Sequence, residues 1–413
     1  MIQFISKNSL FRNSLALAAN SLFASILGFI FWWLAARILS TETIGLASGL
    51  ISAAILLATA AQLGLGYGVI KWYAESNNKT HLINLVLSWG GVTCLIFTTI
   101  FIIGLPIWSP KLLFIQNNID LSLAFITLAL LLNLTQLLDS VFIATRHSEF
   151  LVTTNSLISV LRVMLLGLFS WLIGKNILGI MLVFDISLGV IFLLSIGWFL
   201  PQAMTERYQP FVVFQGLSTN FMKYSLSNHV ANFLQQLPNQ ILPILALNLF
   251  GSIQTAHFFI PWIIASGLSA VAAAGSLSLF AEGANDIDNV EELFYQTVTY
   301  SLIISLFIAI GLIIIAFPLL SIYGNSYAAE ATPLLYILAI AIIPTVMNLI
   351  YFSKFRIQAR LKPLIIGQTT IVILSISLAY GLGLLWGLWG VGLAWLIAQG
   401  VVFIFLRINF FLK

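Results

Sequence analysis

Twelve uninterrupted apolar runs, at 14–38, 44–70, 82–105, 119–143, 151–173, 177–200, 224–249, 252–279, 294–320, 331–352, 363–385 and 388–410, leave this chain few ways to fold. A bilayer core about 30 Å thick is crossed by roughly 20 helical residues, and every run has about that length. Lipid offers the backbone no hydrogen-bond partner, so such a chain folds as helices or as a closed barrel. The barrel is excluded, because the runs are about twice the length of a barrel strand and do not alternate. The expected fold is therefore all-α, a polytopic membrane protein of about twelve transmembrane helices. Composition agrees, with 7% charged residues against about a quarter in soluble domains. Lys7 and Arg12 precede the first run as they would in a signal peptide, but that run is too long and no soluble mature domain follows, so it reads as the first span.

The basic residues test this map, since cytoplasmic loops are enriched in Lys and Arg. With twelve spans, one side receives Lys7, Arg12, Lys71, Lys79, Arg146, Arg207, Lys223, Lys354, Arg356, Arg360, Lys362, Arg407 and Lys413; the other receives Arg37, Lys111 and Lys175. An odd error in the span count would scramble this alternation. The expectation is a membrane protein with both termini cytoplasmic. Outer connections are all short, so no catalytic domain is expected there and the chain does not read as an enzyme. The net charge of +4 is spread between spans, which is no nucleic-acid footprint. Cys94 is the only cysteine, and His81, His147, His229 and His257 lack metal-ligand spacing. No metal or cofactor is expected. "GYG" at 66–68 ends a full-length span and is no pore loop; Gly64, Gly66 and Gly68 instead suit close helix contact. The sequons at Asn78 and Asn133 fall on the inner side or within a span, where glycosylation is implausible.

An internal repeat is visible. Asn20 precedes Ala74-Glu75 by 55 residues to the glutamate, and Asn228 precedes Ala281-Glu282 by 54. "NILGIMLVFDISLG" (176–189) and "GLWGVGLAWLIAQG" (387–400) share Gly at their fourth and last positions. Together these fit a six-helix N-terminal lobe (1–205), a cytoplasmic linker (206–223) and a six-helix C-terminal lobe (224–413). An even number of spans per half makes the repeat parallel, related by an axis along the membrane normal.

Within the seventh run, "NHVANFLQQLPNQILP" (228–243) is unusually polar. At helical periodicity Asn228, His229, Asn232, Gln235, Gln236, Asn239 and Gln240 share an arc of roughly 140°, and apolar residues fill most of the rest. The first run repeats this more weakly through Asn13, Ser14, Asn20, Ser21, Ser25 and Gly28. Amides at membrane depth can bond neighbouring helices; seven polar residues on one arc favour a hydrated cavity wall. Pro238 and Pro243 are candidate bending points, or packing kinks.

Three ionisable residues lie inside runs: Arg162, Asp185 and Asp139. A charge at the bilayer centre costs at least ~2.5–3.5 kcal/mol on insertion scales, so each is a functional candidate. Arg162 and Asp185 stand at similar depth on consecutive spans, which suits either a structural ion pair or substrate and proton handling. Asp139, near the inner end of its span, is within reach of Arg146.

The residues also carry a resemblance. "WWLAARILSTETIGLASGLISAAILLATAAQLGLGYGVIKWYAE" (32–75), "YSLSNHVANFLQQLPNQILPILALNLFGS" (224–252) with "SLFAEG" (278–283), and "PLLSIYGNSYAAEATPLLYILA" (318–339) resemble O-antigen and other oligosaccharide flippases of the polysaccharide-transporter family, in the multidrug/oligosaccharidyl-lipid/polysaccharide exporter superfamily. The resemblance covers most of the chain and rests on diffuse patterns. It implies a fold akin to multidrug and toxin extrusion transporters, and an activity of flipping a polyprenyl-pyrophosphate-linked oligosaccharide outward for surface polysaccharide, including lipopolysaccharide, synthesis. It implies as partners the lipid-linked oligosaccharide, membrane lipid, and a glycan polymerase or glycosyltransferases. Amides suit sugar hydroxyls, which points to Asn20, Asn228, Asn232, Gln235, Gln236, Asn239 and Gln240 as the cavity. Pyrophosphate needs cations, for which Arg162, Arg12 and Lys223 are candidates; Asp185 and Asp139 are candidates for ion coupling. A drug or metabolite exporter of the same fold is the near alternative. A membrane-embedded glycan polymerase or transferase would need a sizeable outer loop or clustered catalytic groups, and neither is present.

Overall fold

The computed structural model describes residues 26–204, 206–214, 216–273, 276, 279, 290–358 and 360–411. These fold as helices: α1 (Ile26–Ile38), α2 (Thr41–Ala61), α3 (Leu65–Trp72), α4 (Lys79–Ile103), α5 (Ile119–Ala144), α6 (Ser148–Leu172), α7 (Ile177–Ala203), α8 (Thr219–Phe250), α9 (Ser252–Ala272), α10 (Val290–Ser321), α11 (Asn325–Ile357), α12 (Leu361–Trp386) and α13 (Leu388–Phe411). Each expected run has its helix, with the second divided between α2 and α3. Ten helices are long and apolar enough to cross a membrane. This is a multi-pass membrane protein. Of the other three, α1 starts where the described residues start, α3 is a short continuation of α2, and α8 is 32 residues long but rich in amides.

Several helices start on polar residues that serve orphan backbone donors. Ser40, Asn78, Asn118 and Asn176 accept from the N–H three positions on, at 3.1, 2.8, 3.1 and 2.8 Å, as N-caps do. Asn78 therefore has a structural role, and Asn133 is fully buried.

The break between α2 and α3 is the main departure from one helix per run. Leu63 and Gly64 take left-handed φ of 47° and 73°, and the helical ladder stops. Side chains from neighbouring helices then satisfy freed carbonyls: Asn133 Nδ2 donates to Ala58 O at 2.8 Å, and Thr93 Oγ1 to Ala61 O at 2.7 Å. Non-helical backbone at membrane depth is tolerated only when buried and bonded in this way.

Two compact units emerge, one of Ile38–Asn248 and one of the residues up to Arg37 with Leu249–Lys413. They differ from the halves expected from sequence, 1–205 and 224–413. By contact, α1 groups with the later helices and α8 with the earlier ones, because packing and not chain order defines a compact unit. In the first unit α5 is the hub, packed on α2, α3, α4 and α7, while α6 pairs with α7. In the second, α11 is the hub, packed on α9, α10 and α13, while α12 pairs with α13. Each pairing recurs six spans later, as the parallel repeat requires.

The expected close-contact role of Gly64, Gly66 and Gly68 is borne out. A Cβ on Gly64 would stand 2.1 Å from Ser225 O, one on Gly66 2.3 Å from Ser140 Oγ, and one on Gly68 2.2 Å from the Phe221 ring. Gly49 likewise meets Leu247, at 2.6 Å. The contacts of Gly49, Gly64 and Gly68 lay α8 along α2 and α3, and that of Gly66 seats α3 on α5. The connection before α8 also differs from the expected linker 206–223: the helix begins at Thr219, and the preceding residues are bonded to α4.

Gly64→Ala combines a backbone clash with a positive φ, so it should destabilise by about 1–3 kcal/mol. Thermal unfolding in detergent would register this as a lowered midpoint. Gly197→Ala, which faces open space, should leave the midpoint unchanged or raised.

Candidate functional site

The polar arc of α8 divides into two parts. Ser225 and His229, 0% and 6% exposed, turn onto the α2–α3 break beside Gly64. His229 thus belongs to the packed seam and not to a wet wall. Above it Asn232, Gln235, Asn239 and Gln240 are half-buried, while Asn228 and Gln236 are exposed. Pro238 and Pro243 are buried, and the helix stays continuous through both. Asn20 and Arg12 lie outside the described residues.

Hydrogen-bond accounting separates these amides from the rest of the membrane domain. Elsewhere a buried amide bonds something: Asn133 holds Ala58 O, and Asn348 Nδ2 donates to Gln399 O and Oε1 at 2.9 and 2.7 Å. On α8, Asn228 Nδ2 returns to its own helix at Tyr224 O, 2.8 Å away. Asn232, Gln236, Asn239 and Gln240 have no side-chain partner among the described residues. Nor are they sealed away from solvent, unlike the orphaned atoms of His229 and Ser225. Four amides in reach of solvent on a membrane-length helix make a surface able to exchange hydrogen bonds with water or with hydroxyl-rich ligands.

The ionisable residues depart from both simple expectations. Arg162 and Asp185 do not form an ion pair. The Arg162 guanidinium lies over the Phe184 ring, 4.2 Å from its centroid, and its Nε has no partner. Asp185 is 6% exposed, with Oδ1 unpartnered. The neighbouring aromatic face, and not the carboxylate, takes the cation, as a ring quadrupole can. Asp139 does not pair with Arg146; it accepts from Asn155 Nδ2 at 3.4 Å. Lys223 is exposed, and its neighbour Tyr224 is capped by another cation, Lys71, whose Nζ lies 4.1 Å from the ring centroid.

Sequence reading missed two polar features of the other unit. Lys354, 1% exposed near the end of α11, pairs with Glu291 at 2.7 Å and lies 4.2 Å from the centroid of the Phe294 ring. It stood among basic residues of a connection, and only the packing of α10 against α11 buries it. His257 and Tyr323, 3% and 2% exposed, hold three polar atoms without hydrogen-bond partners. An isolated His257 in an apolar run and a Tyr323 in the connection after the ninth run gave no signal for this.

Beside α1, α9 and α10 the same unit contains a cavity of about 700 Å³ lined only by apolar residues and glycine, among them Phe29, Trp32, Ile264, Leu268, Gly311 and Ile315. A Cβ on Gly28 or Gly311 would meet open space there.

A family model described as polysaccharide biosynthesis protein matches residues 10–259, more than half of the chain. The chain belongs to that family. Among solved structures it is similar to the lipid II flippase MurJ in an inward closed conformation, with a TM-score of 0.75 and 13% identity, over 97% of this chain and 87% of that one. It is also similar to the inward-facing conformation of a multidrug resistance MATE family transporter of the MOP superfamily, with a TM-score of 0.67 and 16% identity, over 96% and 94%. A MOP superfamily transporter from Pyrococcus furiosus gives a TM-score of 0.62 at 15% identity, over 98% and 96%. The fold is thus that of MurJ and MATE transporters. No curated protein sequence matches. The structural neighbours are described as a flippase and as transporters, and the expected kinship with the polysaccharide family and with this superfamily's fold stands.

If the α8 amides face water, a membrane-impermeant thiol reagent should label Gln236→Cys and Asn232→Cys in proteoliposomes. Leu242→Cys, on the fully buried face, should stay unlabelled. Equal protection of all three would show a dry helix.

Proposed function

We propose that this protein carries a polyprenyl-pyrophosphate-linked oligosaccharide across the bacterial cell membrane, from the inner to the outer leaflet, in the assembly of a surface polysaccharide such as O-antigen. The observation that carries the reading is the set of amides on α8, Asn232, Gln236, Asn239 and Gln240, which lie on a membrane-length helix with no hydrogen-bond partner among the described residues. Such a surface is costly unless something polar passes it, and sugar hydroxyls both donate and accept as amides do. Membership of a polysaccharide biosynthesis family supports the glycan. The apolar cavity beside α1, α9 and α10 supports the other half of the cargo, since about 700 Å³ lies within the ~300–1,000 Å³ common for ligand sites and its walls suit a hydrocarbon chain alone.

In this reading Asn20, Asn228, Asn232, Gln235, Gln236, Asn239 and Gln240 hold the sugar. Arg162, with one donor free, is the first candidate for the pyrophosphate, with Arg12 and Lys223 nearer the cytoplasmic surface. Asp185, buried without an ion-pair partner, is the better candidate for ion coupling than Asp139. Pro238 and Pro243 remove two backbone donors from α8 and are the bending points of an alternating-access cycle. The chain halves 1–205 and 224–413 are its repeats. The bias of Lys and Arg sets both termini in the cytoplasm. A glycan polymerase or glycosyltransferases of the same pathway are the partners.

Replacing Asn232, Gln236 and Asn239 together by Leu should abolish flipping of a fluorescent lipid-linked oligosaccharide in proteoliposomes while membrane insertion stays intact. Unimpaired flipping would overturn the amide reading, and transport of organic cations without lipid-linked glycan would place the protein among drug exporters. Gly311→Phe, which fills the apolar cavity, should slow flipping of the full lipid without weakening binding of a chain-free sugar pyrophosphate. An unchanged flipping rate would detach the cavity from the cargo.

A further inference from the structure

The connection between α7 and α8 behaves unlike a water-filled loop. It contains no helix between Met204 and Thr219, yet it runs along α4 and is fastened to it. Tyr208 donates its hydroxyl to Asn84 Oδ1 at 2.7 Å, Asn84 Nδ2 donates to Gln209 O at 2.8 Å, and Val213 N donates to Ser88 Oγ at 3.0 Å. Pro210 has no N–H to satisfy. Tyr208 and Val213 turn inward at 7% and 6% exposure.

What faces outward is apolar. Phe211, Val212 and Phe214 are 48%, 71% and 64% exposed, with Phe214 set edge-on against Trp89 at 6.5 Å. Their depth follows from α4. At ~1.5 Å per residue, Asn84 and Ser88 stand about 7 and 13 Å along the helix from Lys79. Its 25 residues make roughly 37 Å against a hydrocarbon core of about 30 Å. The Ser88 attachment is therefore within hydrocarbon. Near the Lys79 end, Lys79 lies over Tyr73 at 5.4 Å and Lys71 over Trp72 at 4.6 Å, the mixture of aromatic and cationic groups found at a membrane interface.

We propose that residues 208–214 form a strap inserted into the leaflet at the Lys79 end of α4, with Phe211, Val212 and Phe214 seated among acyl chains and the polar backbone turned onto Asn84 and Ser88. Asn84 and Ser88 hold one carbonyl, of Gln209, and one N–H, of Val213, from the protein side, the kind of support that irregular backbone needs at this depth. The partner is membrane lipid, and the inference does not depend on which cargo the protein carries. The strap also shields the polar part of α4 that a bare helix would present to lipid: Asn84 is 2% exposed, whereas Ile96 and Ile100 farther along are 50% and 54% exposed.

The test uses the full chain in liposomes with its single cysteine removed as Cys94→Ser. A nitroxide on Val212→Cys is compared with one on Ile100→Cys, a lipid-facing reference, and one on Asn77→Cys in the polar connection before α4. Collision with oxygen relative to a water-soluble nickel chelate should be severalfold higher at Val212 than at Asn77, and similar to that at Ile100. Chelate access equal to that at Asn77 would overturn the strap by placing it in water. Protection from both reagents would overturn it by placing a protein over it. The same comparison on Phe214→Cys decides the matter if the Val212 variant does not fold.

Discussion

In hydrocarbon every backbone donor and acceptor must find its partner inside the protein, and the rest of this structure depends on that rule. Where the helical ladder runs unbroken, the rule is met without side chains, and apolar sequence suffices. Where the ladder stops, a polar side chain appears. The α2–α3 break is served by Asn133 and Thr93, and the segment before α8 by Asn84 and Ser88. Most buried polar residues of the described chain are thus accounted for as supports of the backbone or of one another, as in the Asn348–Gln399 pair.

Against that background the unpartnered amides of α8 acquire meaning. Asn232, Gln236, Asn239 and Gln240 support no backbone among the described residues, and none of them is fully buried. The apolar cavity of the other unit is the complementary case, a hollow whose described lining is almost wholly apolar. Both kinds of surface are what the proposed amphiphilic cargo would need. The two charged features follow the same economy of partners: Arg162 rests on the Phe184 ring, and Lys354 is held by Glu291 and the Phe294 ring. Asp185 is left without an ionic partner, which keeps it apart from a structural ion pair.

Much of this was legible beforehand. Helix number and approximate ends follow from run length, because one helix per bilayer crossing is nearly forced. The glycines at 64, 66 and 68 announced close packing, since removal of Cβ has little other use inside a span. The polar arc of α8 was readable because angular position depends on helical period alone. Residue-to-residue partners were not readable. Arg162 and Asp185 sit at matching depth on consecutive helices, yet the rotation of those helices brings Phe184 beneath the guanidinium. His229 shares the arc of the amides but faces the α2–α3 break, where Gly64, lacking a Cβ, lets α8 come close.

The sequence by itself determined that this chain crosses a membrane many times in helices, that its halves repeat in parallel, and that α8 carries an amide face. These are consequences of composition and period, which act along one element at a time. Only the tertiary structure decided which amides stay free, that α1 and α8 group by contact with helices of the opposite half, that Lys354 is buried, and that residues 208–214 lie against α4. Each of those depends on the rotation and offset of one helix against another, which apolar packing selects among many nearly equivalent surfaces and which no local pattern encodes.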